Sequence, residues 1–353
     1  MRSALARLGL VLSAALLLLL PATAAGAASD NSYSVHPLVT DTGAGGTVKD
    51  EHLVNAWGLT ASSTSPWWVS DNGTNLSTLY TGTGAVIPQI VVSVAGDGPT
   101  GTVFNTTTGF PLPAGTGNAR FLFDTEDGVI SGWNGGSASQ PMVTSKDGAV
   151  YKGLAISQTT SGPRIYATDF HNGRVDVFDG SWQPVHGPLA FFDPTLPRGF
   201  APFGIQAIGS RIYVTYAKTV PGSNDEAHGP GLGFVDAFDA ATGILTAKVL
   251  FGHQLNAPWG LAPAPAGFGA FSGDLLVGNF GDGTINAFKP ILGGILYLPD
   301  GQLRDRSGGT ISIDGLWALQ FGNGATAGPT TSLYFTAGPD DESHGLFGSI
   351  TAN

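Results

Sequence analysis

The chain has 353 residues, no cysteine, 53 glycines, only 12% charged residues and a formal net charge of −11. The missing cysteines exclude disulfides, thiolate nucleophiles and zinc-thiolate sites. The acidic balance speaks against nucleic acid or an anionic membrane as partner. With 42% hydrophobic residues the chain can fill a core, and its glycine-rich, charge-poor composition suits short strands and tight turns better than helix bundles.

Residues 1–27 read as a secretory signal peptide. Arg2 and Arg7 precede an apolar run over 8–20, Pro21 breaks it, and small residues offer cleavage after Ala24 or Ala27. The run is too short to span a bilayer, so a secreted or periplasmic, envelope-associated protein with no stable membrane insertion is expected. Residues 28–353 then form one domain.

The first strand of that domain is expected over 33–39. A three-part unit follows and recurs. In the first unit it is Trp57-Gly58-Leu59, then Trp68-Val69-Ser70-Asp71, then Leu76-Ser77-Thr78-Leu79-Tyr80. The second has Thr100-Gly101-Thr102-Val103, Phe121-Leu122-Phe123-Asp124 and Ile130-Ser131-Gly132-Trp133. The third has Lys152-Gly153-Leu154-Ala155, a strand over 165–169 and Val175-Asp176-Val177-Phe178-Asp179. The fourth has Phe203-Gly204-Ile205-Gln206, a strand over 212–216 and Val235-Asp236-Ala237-Phe238-Asp239. The fifth has Trp259-Gly260-Leu261-Ala262, Leu275-Leu276-Val277-Gly278-Asn279 and Ile285-Asn286-Ala287-Phe288. The sixth has Trp317-Ala318-Leu319, a strand over 333–337 and a last one over 346–350. Outer strands are expected over 90–94 and 245–250. A period of about fifty residues with three or four alternating strands per unit predicts an all-β, six-bladed β-propeller. The small marker residue places the first strand of each unit at the crowded axis. The sixth unit has three strands, so the strand over 33–39 is expected to join it and close the ring.

Asn72-Gly73, Asp127-Gly128, Asn172-Gly173 and Asp282-Gly283 read as two-residue hairpin turns. The oxygens before those turns, Asp71, Asp124, Asp169 and Asn279, together with Asp314, form a candidate ring at one mouth of the channel. Hard cations take six to eight oxygen ligands, so Ca2+ is the candidate metal; the alternative is that each side chain caps its own turn. Asn55, Lys152 and Asn256, in the loops leading into innermost strands, and Tyr216, ending a second strand, are candidate binding residues on that face. His171 and His344 are the candidate catalytic bases. His228 lies in an insertion over 218–231, and Asp340-Asp341-Glu342-Ser343-His344 is an acidic loop that reads as a ligand cluster or a solvated turn. Trp57, Trp259 and Trp317 read as packing, whereas Trp67, Trp68 and Trp133 are freer to be exposed. No nucleophile elbow, P-loop, dinucleotide fingerprint or His-Glu-x-x-His motif is present.

Several stretches in order, among them Asn55-Ala56-Trp57-Gly58-Leu59, Thr125-Glu126-Asp127-Gly128-Val129-Ile130-Ser131-Gly132-Trp133-Asn134, Ala201-Pro202-Phe203-Gly204-Ile205-Gln206 and Leu333-Tyr334-Phe335-Thr336-Ala337-Gly338-Pro339, resemble an uncharacterised family of exported bacterial proteins similar to NHL-repeat propellers. Some of those relatives carry a PEP-CTERM sorting tail, which this chain lacks. The resemblance implies a six-bladed propeller and no particular activity. Three functions stand: a monomeric module binding a protein or small molecule at the channel mouth, a Ca2+-dependent hydrolase of the lactonase type, and a structural envelope protein.

Overall fold

The computed structural model describes residues 30–353 except 114–115, 188–189 and 250–252, and the expected signal peptide lies outside the described residues. The described chain is built almost wholly of antiparallel meanders. The first strands are β1 (Tyr33–Thr40) and β2 (Val48–Lys49). Four strands follow as β3 (Ala56–Thr60), β4 (Trp67–Asp71), β5 (Leu76–Tyr80) and β6 (Val92–Ser93). The next four are β7 (Pro99–Phe104), β8 (Phe121–Thr125), β9 (Val129–Trp133) and β10 (Gln140–Thr144). A three-stranded sheet consists of β11 (Tyr151–Thr159), β12 (Gly162–Asp169) and β13 (Arg174–Asp179). Then come β14 (Phe200–Ile208), β15 (Arg211–Thr219), the short β16 (Glu226–Ala227), β17 (Gly233–Asp239) and β18 (Leu245–Val249). The last seven are β19 (Pro258–Pro263), β20 (Leu275–Asn279), β21 (Ile285–Ile291), β22 (Leu296–Gln302), β23 (Leu316–Phe321), β24 (Leu333–Ala337) and β25 (Leu346–Ala352).

Parallel pairing of β18 with β22 joins the β14–β18 and β19–β22 meanders into one sheet. β1 runs antiparallel to β25, with Val35 opposite Ile350.

The strands that begin each meander share one distortion. In β3, β7, β11, β14, β19 and β23 the pairing register slips at the marker glycine or alanine. A β-bulge bends its strand and increases the local twist. The glycines let these strands touch. A Cβ on Gly58 would lie 2.4 Å from the Thr100 carbonyl oxygen, one on Gly101 2.3 Å from the Leu154 amide, and one on Gly204 2.1 Å from the Trp259 oxygen. Close backbone approach, rather than positive φ, therefore fixes these residues. Gly204→Ala is expected to destabilise by about 3 kcal/mol, measured by chemical denaturation. Gly153→Ala, whose Cβ would meet its nearest neighbour at 3.3 Å, is expected to cost clearly less. Equal costs would contradict the close packing of β14 on β19.

Two expectations need correction. Trp67, Trp68 and Trp133 are all buried. Trp68 stacks on Phe121 at 4.0 Å and meets Trp133 at 4.8 Å, so the space between neighbouring sheets takes them. The turns are also longer than two residues. Gly128, Gly173 and Gly283 adopt φ of 79°, 67° and 68°, but the residues before them do not have positive φ. The pattern is that of a turn ending in a left-handed glycine. In the first meander a short 3-10 turn spans Asn72–Thr74 and Asn75 takes the left-handed position.

Candidate functional site

Loops from five meanders converge over the bulged strands and enclose a cavity of about 270 Å3. Its floor is a stack of three rings. Trp57 of β3 lies on Trp317 of β23 at 3.5 Å between ring centres, and Phe280, just after β20, covers the other part of Trp317 at 4.0 Å. Trp259 of β19 meets Trp317 edge-on at 5.8 Å. Offset stacks and edge contacts of this kind add to the burial of the rings themselves.

A hydrogen-bond relay runs around this floor. The Trp317 indole donates to Asn55 Oδ1 (3.2 Å), and Asn55 Nδ2 donates to Asn72 Oδ1 and Glu342 Oε1, both at 3.2 Å. Asn72 Nδ2 donates to Glu126 Oε2 (3.1 Å), and Lys152 Nζ donates to Glu126 Oε1 (2.6 Å). The Trp259 indole donates to the Lys152 carbonyl (2.8 Å). Asn55 holds its place at φ 49°, a left-handed conformation that asparagine tolerates better than most residues.

Lys152 is only 3% exposed. Burial works against its charge, but Glu126 and Glu226 outweigh that and raise its pKa. Its ammonium also sits 5.2 Å over the Trp57 ring, within cation–π range. At the far end of the stack His228 meets Phe280 edge-on at 5.1 Å. The Glu226 carboxylate, 3.5 Å from His228 Nε2 and placed to accept its N–H, raises the pKa of His228. Burial also raises the pKa of Glu342, partly offset by the bond from Asn55, and Glu226 and Glu126 push it the same way. The loop carrying Glu342 is strained: Asp340, Asp341 and Glu342 have φ of 55°, 51° and 62°. Successive left-handed residues outside glycine cost about 1–2 kcal/mol each and concentrate at functional sites.

Of the residues singled out from sequence, Asn55 and Lys152 lie in this cavity. Asn256 lies beside it and is spent on structure: its Oδ1 accepts from the Gly229 amide (2.6 Å) and its Nδ2 donates to Asp282 (3.1 Å). Tyr216 is buried within its sheet.

The oxygens of the candidate ring are not gathered. Asp71 and Asp124 are fully buried at the ends of β4 and β8. Asp124 Oδ1 accepts from the Thr100 hydroxyl (2.9 Å) and the Gly101 amide (2.6 Å) of β7. Asp169 accepts from the Asn172 amide (3.1 Å) and side chain (2.7 Å) and lies 3.3 Å from Arg174. Asn279 binds the Asn256 amide and the Gln254 carbonyl, and exposed Asp314 accepts from the Asp340 amide (2.9 Å). Asp169, Asn279 and Asp314 serve their own turns or a neighbouring loop, Asp124 ties β8 to β7, and both carboxylate oxygens of Asp71 are buried without a hydrogen-bond partner among the described residues. Among the described residues no group of three or more His, Asp or Glu is placed to hold a metal ion. His171 lies 3.0 Å from Asn224, and His344 lies 2.7 Å from Asp41, which raises its pKa; neither borders the cavity.

Glu342 comes from the acidic loop read as a ligand cluster or a solvated turn, whereas Glu126, Glu226 and Phe280 are site residues that the sequence reading does not name. The insertion over 218–231 was a visible signal for Glu226.

No protein-family model matches the chain. An uncharacterised protein of Acanthamoeba polyphaga mimivirus is 31% identical over 319 residues, covering 85% of this chain and 76% of that protein. A second uncharacterised protein of the same virus is 28% identical over 324 residues, covering 85% and 81%. The chain belongs to the family of these viral proteins. The expected membership of an exported bacterial family is thereby corrected. The motifs behind it are bulge glycines and Asp-Gly turns, which the backbone geometry demands, so they report fold rather than lineage.

Among solved structures, the soluble aldose sugar dehydrogenase of Escherichia coli has a TM-score of 0.52 at 10% identity, covering 91% of this chain and all of that one. Virginiamycin B lyase of Staphylococcus aureus has a TM-score of 0.50 at 12% identity, covering 91% and 99%. At such identities the likeness concerns the fold alone, which is all-β and propeller-like. No helix among the described residues is long and apolar enough to cross a membrane.

Proposed function

We propose that the chain is a six-bladed propeller, closed by β1 on β25, that binds a small polar ligand at its axial mouth. The blade count is supported by six bulged strands, each against the next, with β23 returning to β3. Export through residues 1–27, leaving one domain from residue 28, belongs to the same reading and is supported by the basic, apolar and small-residue order of that segment.

The observation that carries the binding function is buried Lys152 paired with the half-buried Glu126, linked through Asn72 and Asn55 to Trp317 around an open cavity. Removing a lysine from water is costly, and a single packed core would be served as well by an apolar side chain. Polar groups converging on an aromatic floor are the usual make-up of a small-ligand pocket, and about 270 Å3 is near the lower end of the size range.

The test is a thermal-shift panel of free sugars, amino sugars, amines, amino acids and carboxylates against the wild type and Lys152→Met. A compound at about 100-fold excess over its dissociation constant stabilises by about 2.7 kcal/mol. At least one compound is expected to raise the melting temperature of the wild type but not of the variant. Shifts of equal size in both proteins would place the ligand elsewhere and overturn the reading.

A further inference from the structure

Three glutamates face the mouth, and the protein places a basic side chain on two of them. Glu126 holds the Lys152 ammonium at 2.6 Å, and Glu226 holds the His228 imidazole at 3.5 Å. The Lys152 ammonium and the His228 ring cap the two ends of the Trp57–Trp317–Phe280 stack. Glu342 forms no salt bridge among the described residues. The one hydrogen bond to its side chain comes from the neutral amide of Asn55; the negative charges of Glu226 and Glu126 act on it, and the Lys152 charge offsets them only in part from its place on Glu126. The acidic groups therefore interact, yet they are not close enough around one point to hold a metal ion. A cation that satisfies them has to be larger than a bare ion and able to donate hydrogen bonds. A second observation is independent of charge. Trp57 borders the cavity and is 3% exposed, and its indole N–H has no hydrogen-bond partner among the described residues, whereas those of Trp259 and Trp317 are both used. An unpaired buried donor calls for an acceptor.

We infer that the mouth takes a small hydroxylated organic ammonium compound, its ammonium group on Glu342 and a hydroxyl oxygen accepting from the Trp57 indole. This rests on the mouth being the ligand site. An ammonium donating to a carboxylate in a partly dry pocket forms a charge-assisted bond, stronger than the bond a hydroxyl makes there. The caps explain the size limit: Lys152 and His228 already occupy the ends of the stack, so the remaining space is central and short.

The experiment is isothermal titration of the full chain with three amines, each against its hydroxyl counterpart: glucosamine and glucose, ethanolamine and ethylene glycol, putrescine and 1,4-butanediol. Glucosamine or ethanolamine is expected to bind at least about tenfold tighter than its counterpart. In Glu342→Gln that preference is expected to collapse, with an unchanged far-ultraviolet spectrum showing that the variant folds. Binding is also expected to weaken as acidification protonates Glu342. If glucose binds as tightly as glucosamine and Lys152→Met abolishes both, the mouth is a ligand site and the ammonium inference is wrong. If none of the three amines binds more tightly than its counterpart, the inference is likewise overturned. If putrescine alone binds, the requirement for a hydroxyl is overturned.

Discussion

Stability is expected to fall as the pH is raised from about 4 to about 7. Burial pushes the carboxyl of Asp124 up to about 7 and that of Asp236 also to about 7, and it raises Asp71 in the same direction. In the unfolded chain an aspartate ionises near 3.9. Between those values the native protein keeps a proton that the unfolded chain has released, so raising the pH favours unfolding. Below about 4 both states are protonated and the effect vanishes; above about 7 both are ionised and the full cost remains. For Asp124 alone the difference corresponds to about 4 kcal/mol. Asp124 Oδ2 is buried without a partner, as a protonated or ionised oxygen in a dry site would have to endure. His344, raised by Asp41, acts in the same sense, since its contribution is lost as pH rises through its folded value. Asp193, lowered by its bond to Lys248 against the effect of burial, opposes only at the acidic end. Melting temperatures at unit steps from pH 4 to pH 8 test this. Asp124→Asn retains an oxygen for Thr100 and Gly101 and is expected to flatten the profile. A wild-type profile that rises from pH 4 to pH 7 would contradict the assignment of these buried acids.

Trp317→Ala is expected to cost about 3–5 kcal/mol, the range for emptying a large buried aromatic site. The indole is 1% exposed and is held between Trp57 and Phe280, with Trp259 and Phe203 against it at 5.8 Å. Its loss would also strand Asn55 Oδ1, which accepts the indole N–H. Trp317→Phe keeps much of the stack and is expected to cost less than half as much. Urea denaturation of both variants measures the difference. A cost below about 1 kcal/mol for the alanine variant would mean that the stack is not the centre of the fold.

The repeat was readable because each innermost strand needs a residue without a bulky side chain at its bulge, and that need recurs wherever backbones meet, as at Gly58, Gly101 and Gly204. Asn55 and Lys152 were legible for a related reason: they lie in or just before those strands, so the repeat fixed their position. Glu342 was legible only as part of an acidic loop, and Glu126 and Glu226 were not, because they come from separate connections that meet only when the sheets are arranged about an axis. The apparent acidic ring failed for the opposite reason. Asp169 and Asn279 recur because each bonds within its own turn, Asp169 with Asn172 and Asn279 with Asp282 and Thr284, so periodicity there reports a local need. The exposed role given to Trp67 and Trp68 overlooked the space between sheets, where large rings fit: Trp67 packs on Tyr334 at 5.1 Å and Trp68 on Phe121.

The axial mouth is where the proposed ligand would meet this protein. The indole N–H signals in a proton–nitrogen correlation spectrum report on it directly, because Trp57, Trp259 and Trp317 border or floor the mouth while Trp67, Trp68 and Trp182 lie away from it. Titration with the tightest compound from the ligand panel is expected to move the first three signals, and to leave the second three in place. Movement confined to Trp67, Trp68 or Trp182 would contradict the account.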